Sequence, residues 1–186
     1  MIRTCLYFTV AVAYIGLWCQ LAIPEARWLK LVPLSLLVIE RKHERVGLIF
    51  ALIGDAALMH PQLFYVGLAS FSLFQVWMWS QNSSQVILGR VVLPLFVGIG
   101  LFNLPLYLRL AIWLYSSLIV HATLATIQVD RHRGWGMILF CVSDALLAVD
   151  RFVQPFPLAC HCVMATYWTA IWLATHPRKF LLIPVS

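Results

Sequence analysis

The chain has 186 residues, of which 62% are hydrophobic and 11% charged, with a net charge of +6. An average soluble domain carries about 45–50% apolar and about 25% charged residues, so composition excludes a soluble enzyme, a disordered chain and a disulfide-framed secreted module. A mean hydropathy of +0.89 leaves an all-α, polytopic membrane bundle, whose basic residues flank apolar spans rather than bind nucleic acid.

A membrane-spanning helix needs about 20 apolar residues. Between charges and prolines, the apolar runs predict eight spans in chain order, at about 5–23, 24–39, 46–62, 63–79, 86–102, 106–127, 134–149 and 156–175. The runs are continuous rather than alternating, which argues against a β-barrel. Short turns predict a single transmembrane domain over 1–186. The first run has no small-x-small cleavage site near its end and reads as a span rather than a signal peptide. The second run is short. With Lys30 outside the hydrocarbon, Leu31 to Ile39 would supply only about 14 Å against a core of about 30 Å. Lys30 is therefore expected within the membrane or in a wet pocket opening from one face.

With a cytoplasmic N-terminus, nine of the Lys and Arg residues fall on or near the inside and four (Arg27, Lys30, Arg109 and Arg151) on the other side. That asymmetry predicts both termini in the cytoplasm. Asn82-Ser83-Ser84 is a glycosylation sequon that this topology keeps on the cytosolic side, unmodified. The cysteines Cys5, Cys19, Cys141, Cys160 and Cys162 all lie in apolar stretches and predict no disulfide framework. Cys160-His161-Cys162 predicts no metal site, because residues two apart on a helix face different ways.

Two acids stand deep in apolar helices: Asp55 within Gly47–Met59 and Asp144 within Gly136–Ala148. An ionised carboxylate at the bilayer centre costs at least about 2.5–3.5 kcal/mol, and such residues face functional cavities or satisfied packing sites. The segments GLIFALIGDAALM and GMILFCVSDALLA align without gaps, with Gly, Ile, Asp, Ala and Leu matching. They occupy the third and seventh predicted spans, which run in the same direction, as a parallel four-plus-four repeat requires. Lys30 and Tyr115 fall at a similar depth. Lys30, Asp55, Tyr115 and Asp144 are therefore expected to share a layer in a pocket open to the non-cytoplasmic face. His121 reads as packing. No zinc helix, nucleophile elbow or phosphate loop is present, and no cofactor or metal is expected.

Several segments together resemble the YhhN-like membrane proteins, a family that includes the animal lysoplasmalogenases. Lys30-Leu31-Val32-Pro33 resembles the family's Lys-x-x-Pro, and Gly47-Leu48-Ile49-Phe50 with Gly54-Asp55 its first acidic helix. Phe64, Gly67, Ser70 and Phe71 fit the helix that follows. Gly136, Leu139-Phe140, Ser143-Asp144, Ala148 and Phe152 resemble its second acidic helix. The resemblance covers roughly residues 28–175. Phe74-Gln75 stands where the family usually has Ala-His, and Tyr167-Trp168-Thr169-Ala170-Ile171 where it usually has Tyr-Tyr-x-Ala-Gln.

The resemblance implies cleavage of the vinyl ether of lysoplasmalogens, giving a fatty aldehyde and glycerophosphoethanolamine or glycerophosphocholine. It implies Asp55 and Asp144 as catalytic residues, Lys30, Tyr115 and Gln75 as substrate-binding residues, and a lysophospholipid as partner. A eukaryotic member would sit in the endoplasmic reticulum, a bacterial one in the inner membrane. The residues suit the chemistry. One protonated carboxyl delivers a proton to the vinyl carbon; one ionised carboxylate stabilises the oxocarbenium ion and activates water. Two other readings fit the same residues: a proton-coupled transporter with Asp55 and Asp144 as relay, and a non-catalytic lysolipid-binding protein, which the departures at Gln75 and Ile171 would allow.

Overall fold

The structure, a computed structural model, describes residues 2–20, 24–82 and 104–177. Every regular element among them is helical: α1 (Ile2–Tyr14), α2 (Leu31–Glu40), α3 (Arg45–Leu58), α4 (Phe64–Ser80), α5 (Leu106–Val129), α6 (Arg131–Ala148) and α7 (Ala159–Ala174). The run expected at 86–102 lies outside the described residues. Two helices, Pro61–Ser80 and Leu106–Val129, are long and apolar enough to cross a membrane, and Thr4–Leu17 is a shorter apolar helix. Large apolar side chains such as Val12, Ile39, Leu110 and Leu114 stand exposed on the outside of the bundle, a surface suited to lipid rather than water.

The short second run gains length from a 3-10 segment. Pro24–Lys30 forms a 3-10 helix that runs directly into α2. At about 2.0 Å and 1.5 Å per residue the two together reach about 29 Å, close to the thickness of a hydrocarbon core. Lys30 stands at the junction, near the middle of that length. Single irregular turns recur nearby: a π-helical turn at Ile15–Gln20 extends α1, and another at Val149–Val153 extends α6. Such turns re-aim side chains within otherwise regular helices and gather at functional sites.

The bundle has two distinct ends. At one end a disulfide joins Cys19, beyond α1, to Cys160 at the start of α7. Aromatic pairs Phe64–Phe152 and Tyr65–Tyr107 close the same end. The disulfide corrects the expectation that the cysteines form no disulfide framework. Buried apolar cysteines look alike in a linear sequence, and the two partners are 141 residues apart. It also removes Cys160 from any metal site.

At the opposite end two arginines close the bundle. Arg133 is 1% exposed. It pairs with Glu44 at 2.9 Å and donates from Nε to the Ala174 carbonyl at 2.6 Å. Arg41 donates to the Trp172 carbonyl and to Thr175 Oγ1. The last carbonyls of α7, which have no partner within their own helix, are thus capped by guanidinium groups. Asp130 caps the start of α6 by accepting from the backbone N–H of His132 and Arg133. Gly136 allows the closeness that Arg133 needs: a Cβ there would run into the backbone of Ala174. In lipid, where apolar association gives little drive, such close backbone approach supplies the packing.

Asn82, the sequon residue, is 1% exposed. Its amide donates to Met78 O at 2.6 Å and to Thr126 Oγ1 at 3.2 Å. The side chain joins the end of α4 to α5. With Tyr65 near Tyr107 at one end and Asn82 near Thr126 at the other, α4 and α5 run in the same direction.

Candidate active site

The candidate site lies towards the disulfide end. Gly54 lets the Phe71 ring lie against α3, since a Cβ there would meet that ring at 2.7 Å. The next residue, Asp55, is 1% exposed. Its Oδ1 lies 2.8 Å from Lys30 Nζ, and its Oδ2 accepts from the Tyr167 hydroxyl at 2.7 Å. The irregular segment Pro24–Lys30 brings the lysine to this depth, and the carboxylate supplies the counter-ion that a buried ammonium requires.

Asp144 is placed by α6 and accepts from the Tyr115 hydroxyl of α5 in a short hydrogen bond. Among the described residues no cation contacts it. Ser143, beside it, donates to the Val163 carbonyl at 3.0 Å and ties α6 to α7.

Both acids line one cavity of ≈ 310 Å³, together with Lys30, Tyr115 and Tyr167. Apart from Ser116, Ser143 and Arg151 the rest of the wall is mainly apolar, including Leu58, Leu68, Phe71, Ile112, Ile119 and Met164. Its volume is that of a small-molecule pocket with a few convergent polar groups. A second apolar groove of ≈ 320 Å³ lies between α5 and α6 and shares Val120, Cys141 and Ala145 with the first. The two cavities are neighbours across those three residues.

Of the residues singled out in sequence, Lys30, Asp55, Tyr115 and Asp144 come together in this cavity. Gln75 does not line it. Gln75 is wholly buried on α4, and neither atom of its amide has a hydrogen-bond partner among the described residues. His121 packs beside Trp79, with Nδ1 2.7 Å from the Ser117 carbonyl. Tyr167 was missed as a site residue. It is the one tyrosine kept in the last-helix pattern Tyr-Tyr-x-Ala-Gln, and that retention was the available signal. The two acids take their phenols from helices on opposite sides in sequence: Tyr167 from the last helix, Tyr115 from the helix before α6. Their partners are therefore not related by the offset of the acidic segments. No group of three or more metal-ligating side chains occurs among the described residues.

The model of the YhhN family matches residues 37–177. The chain is 32% identical to lysoplasmalogenase TMEM86B of Sus scrofa over 186 aligned positions, covering 88% of this chain and 80% of that protein. It is 29% identical to the Homo sapiens protein of the same name, over 69% of this chain and 60% of that protein. For the Rattus norvegicus protein the figures are 30%, 66% and 55%. No solved structure matches the chain.

Proposed function

Because this chain belongs to the YhhN family, we propose that it is a membrane hydrolase that cleaves the vinyl ether of lysoplasmalogens, releasing a fatty aldehyde and a glycerophospho-alcohol. The observation that carries this reading is the unequal partnering of two acids on one apolar cavity. Asp55 has Lys30 as counter-ion and is the ionised member. Asp144 has a phenol and no contacting cation, and holds the proton.

The steps balance as follows. Asp144 gives its proton to the β-carbon of the vinyl ether, and the α-carbon becomes an oxocarbenium ion. The Asp55 carboxylate offsets that positive charge. Water adds to the α-carbon and returns a proton to Asp144. The hemiacetal then collapses: its hydroxyl proton moves, through Asp144, to the departing glycerol oxygen, and the aldehyde leaves. One water is consumed and the carboxyl groups end as they began. Tyr115 and Tyr167 fix the two carboxyls. The groove shared by α5 and α6 suits the alkyl chain.

The reading includes eight spans with both termini cytoplasmic. The disulfide supports the sidedness, because disulfides persist in oxidising compartments and this one lies at the end assigned to the non-cytoplasmic face. Purified protein in detergent, incubated with a lysoplasmalogen, should release aldehyde. Binding without release would instead make it a lysolipid-binding protein. Movement of substrate only in sealed vesicles would make it a transporter.

A further inference from the structure

Lys30 is the cation that a phosphate-bearing substrate would first be expected to meet, yet it is engaged. Its ammonium lies 2.8 Å from Asp55, and its side chain is only 12% exposed. A phosphate placed on it would have to displace a carboxylate that the chemistry uses. A second cation lines the same cavity. Arg151, in the π-helical turn after α6, is exposed at the disulfide end. Its guanidinium lies over the Phe64 ring at 4.6 Å and near Phe152 at 5.9 Å. Among the described residues it has no carboxylate partner; the neighbouring Asp150 is turned to the backbone N–H of Phe156. The aromatic faces hold the planar group in place and leave its N–H edge available, the arrangement in which arginine takes phosphate through paired hydrogen bonds.

The spacing suits a single-chain phospholipid. Arg151 follows Asp144 by seven residues, the last three of them in the π-helical turn; both line the one cavity, and at up to 1.5 Å per residue the arginine lies about 10 Å or a little less further along the axis. In a lysoplasmalogen seven bonds separate phosphorus from the vinyl β-carbon. Since three bonds span 3.80 Å across a peptide, seven extended bonds reach roughly 8–9 Å. Resting on the function proposed above, we infer that Arg151 is the anion seat of the cavity. It holds the phosphodiester of the substrate at the mouth while the ether reaches Asp144 and the chain runs on between α5 and α6.

The test compares 1-alkenyl-glycerophosphocholine with phosphate-free 1-alkenylglycerol. Arg151→Met should raise KM for the phospholipid about ten-fold or more, with little change in kcat. KM for the alkenylglycerol should stay where it was. Arg151→Lys, which keeps charge but not the paired donors, should fall between. An equal effect on both substrates, or on neither, would overturn the assignment: the arginine would then be an aromatic-packing or interface anchor.

Binding of the saturated analogue 1-alkyl-glycerophosphocholine gives a readout without turnover. Wild type should prefer it to 1-alkylglycerol, and Arg151→Met should abolish that preference. If wild type binds with this preference but releases no aldehyde, the hydrolase reading fails and the anion seat stands. If aldehyde is released and the preference survives in Arg151→Met, the seat fails alone. Inorganic phosphate should not displace the lipid analogue at comparable concentration. Efficient displacement would make this a site for a free anion and refute the lipid assignment.

Discussion

Asp55→Asn and Asp144→Asn should each reduce aldehyde release by about a thousand-fold or more, and the double variant should be scarcely worse than either single one. In the proposed mechanism the acids divide one reaction: without the proton on Asp144 no cation forms, and without the charge on Asp55 the cation is unsupported in a largely apolar cavity. Removing either halts the same step, so the losses do not add. The two variants differ in stability. Asp144→Asn keeps a carbonyl oxygen for the Tyr115 hydroxyl and is close to neutral. Asp55→Asn leaves the Lys30 ammonium buried without its counter-ion, a loss of about 3–5 kcal/mol for a broken buried pair. Lys30→Met added to Asp55→Asn removes the stranded charge and should restore most of the melting temperature without restoring activity. Aldehyde release and thermal melting, measured on the same detergent-purified variants, check both halves. Near-normal turnover in either single variant would take that acid out of the mechanism.

Arg133→Met should be among the most destabilising single changes. The guanidinium is buried, pairs with Glu44 at 2.9 Å and caps the Ala174 carbonyl at 2.6 Å. Its loss strands the carboxylate and uncovers the end of α7 together, at a cost of about 3–5 kcal/mol. For a chain of this size that corresponds to a fall in Tm of roughly 10 °C. Adding Glu44→Gln removes the stranded charge but not the uncapped carbonyl, so recovery should be partial. Full recovery would mean that the ion pair alone, and not the cap, carries the effect.

The apolar runs made the helices legible, because a helix in lipid must be apolar over most of its length. Asp55, Asp144 and Lys30 were legible for the opposite reason: charge deep in such a run is conspicuous. Tyr167 was not, since a tyrosine in an apolar helix has the same composition whether it packs or donates to an acid. Gln75 is expected at the substrate but is buried away from the cavity wall; which face of α4 turns to the cavity is something that periodicity in nearly all-apolar helices does not report. Arg133 counted in the sequence as one more positive charge at a helix end. Its burial depends on the missing side chain of Gly136, which brings α6 against Ala174. The 3-10 stretch before Lys30 is a tertiary outcome too: the residue pattern indicated that the span was short, not how it is lengthened.

The Cys19–Cys160 bond turns most of the chain into a covalent ring. The two cysteines are 141 residues apart, so every helix from α2 to α6 lies on a closed loop, with α1 and α7 as its tails. One backbone cut within that loop opens the ring without releasing a fragment. A protease site introduced at Gln81, which is exposed at the end of α4, gives a direct measure. After cleavage the protein should run as a single full-mass band on a denaturing gel without reductant and as two bands with it. Two bands without reductant would mean that the cysteines are not joined. Paired, they keep every helix on one molecule after a cut that would otherwise divide the bundle between the two acids.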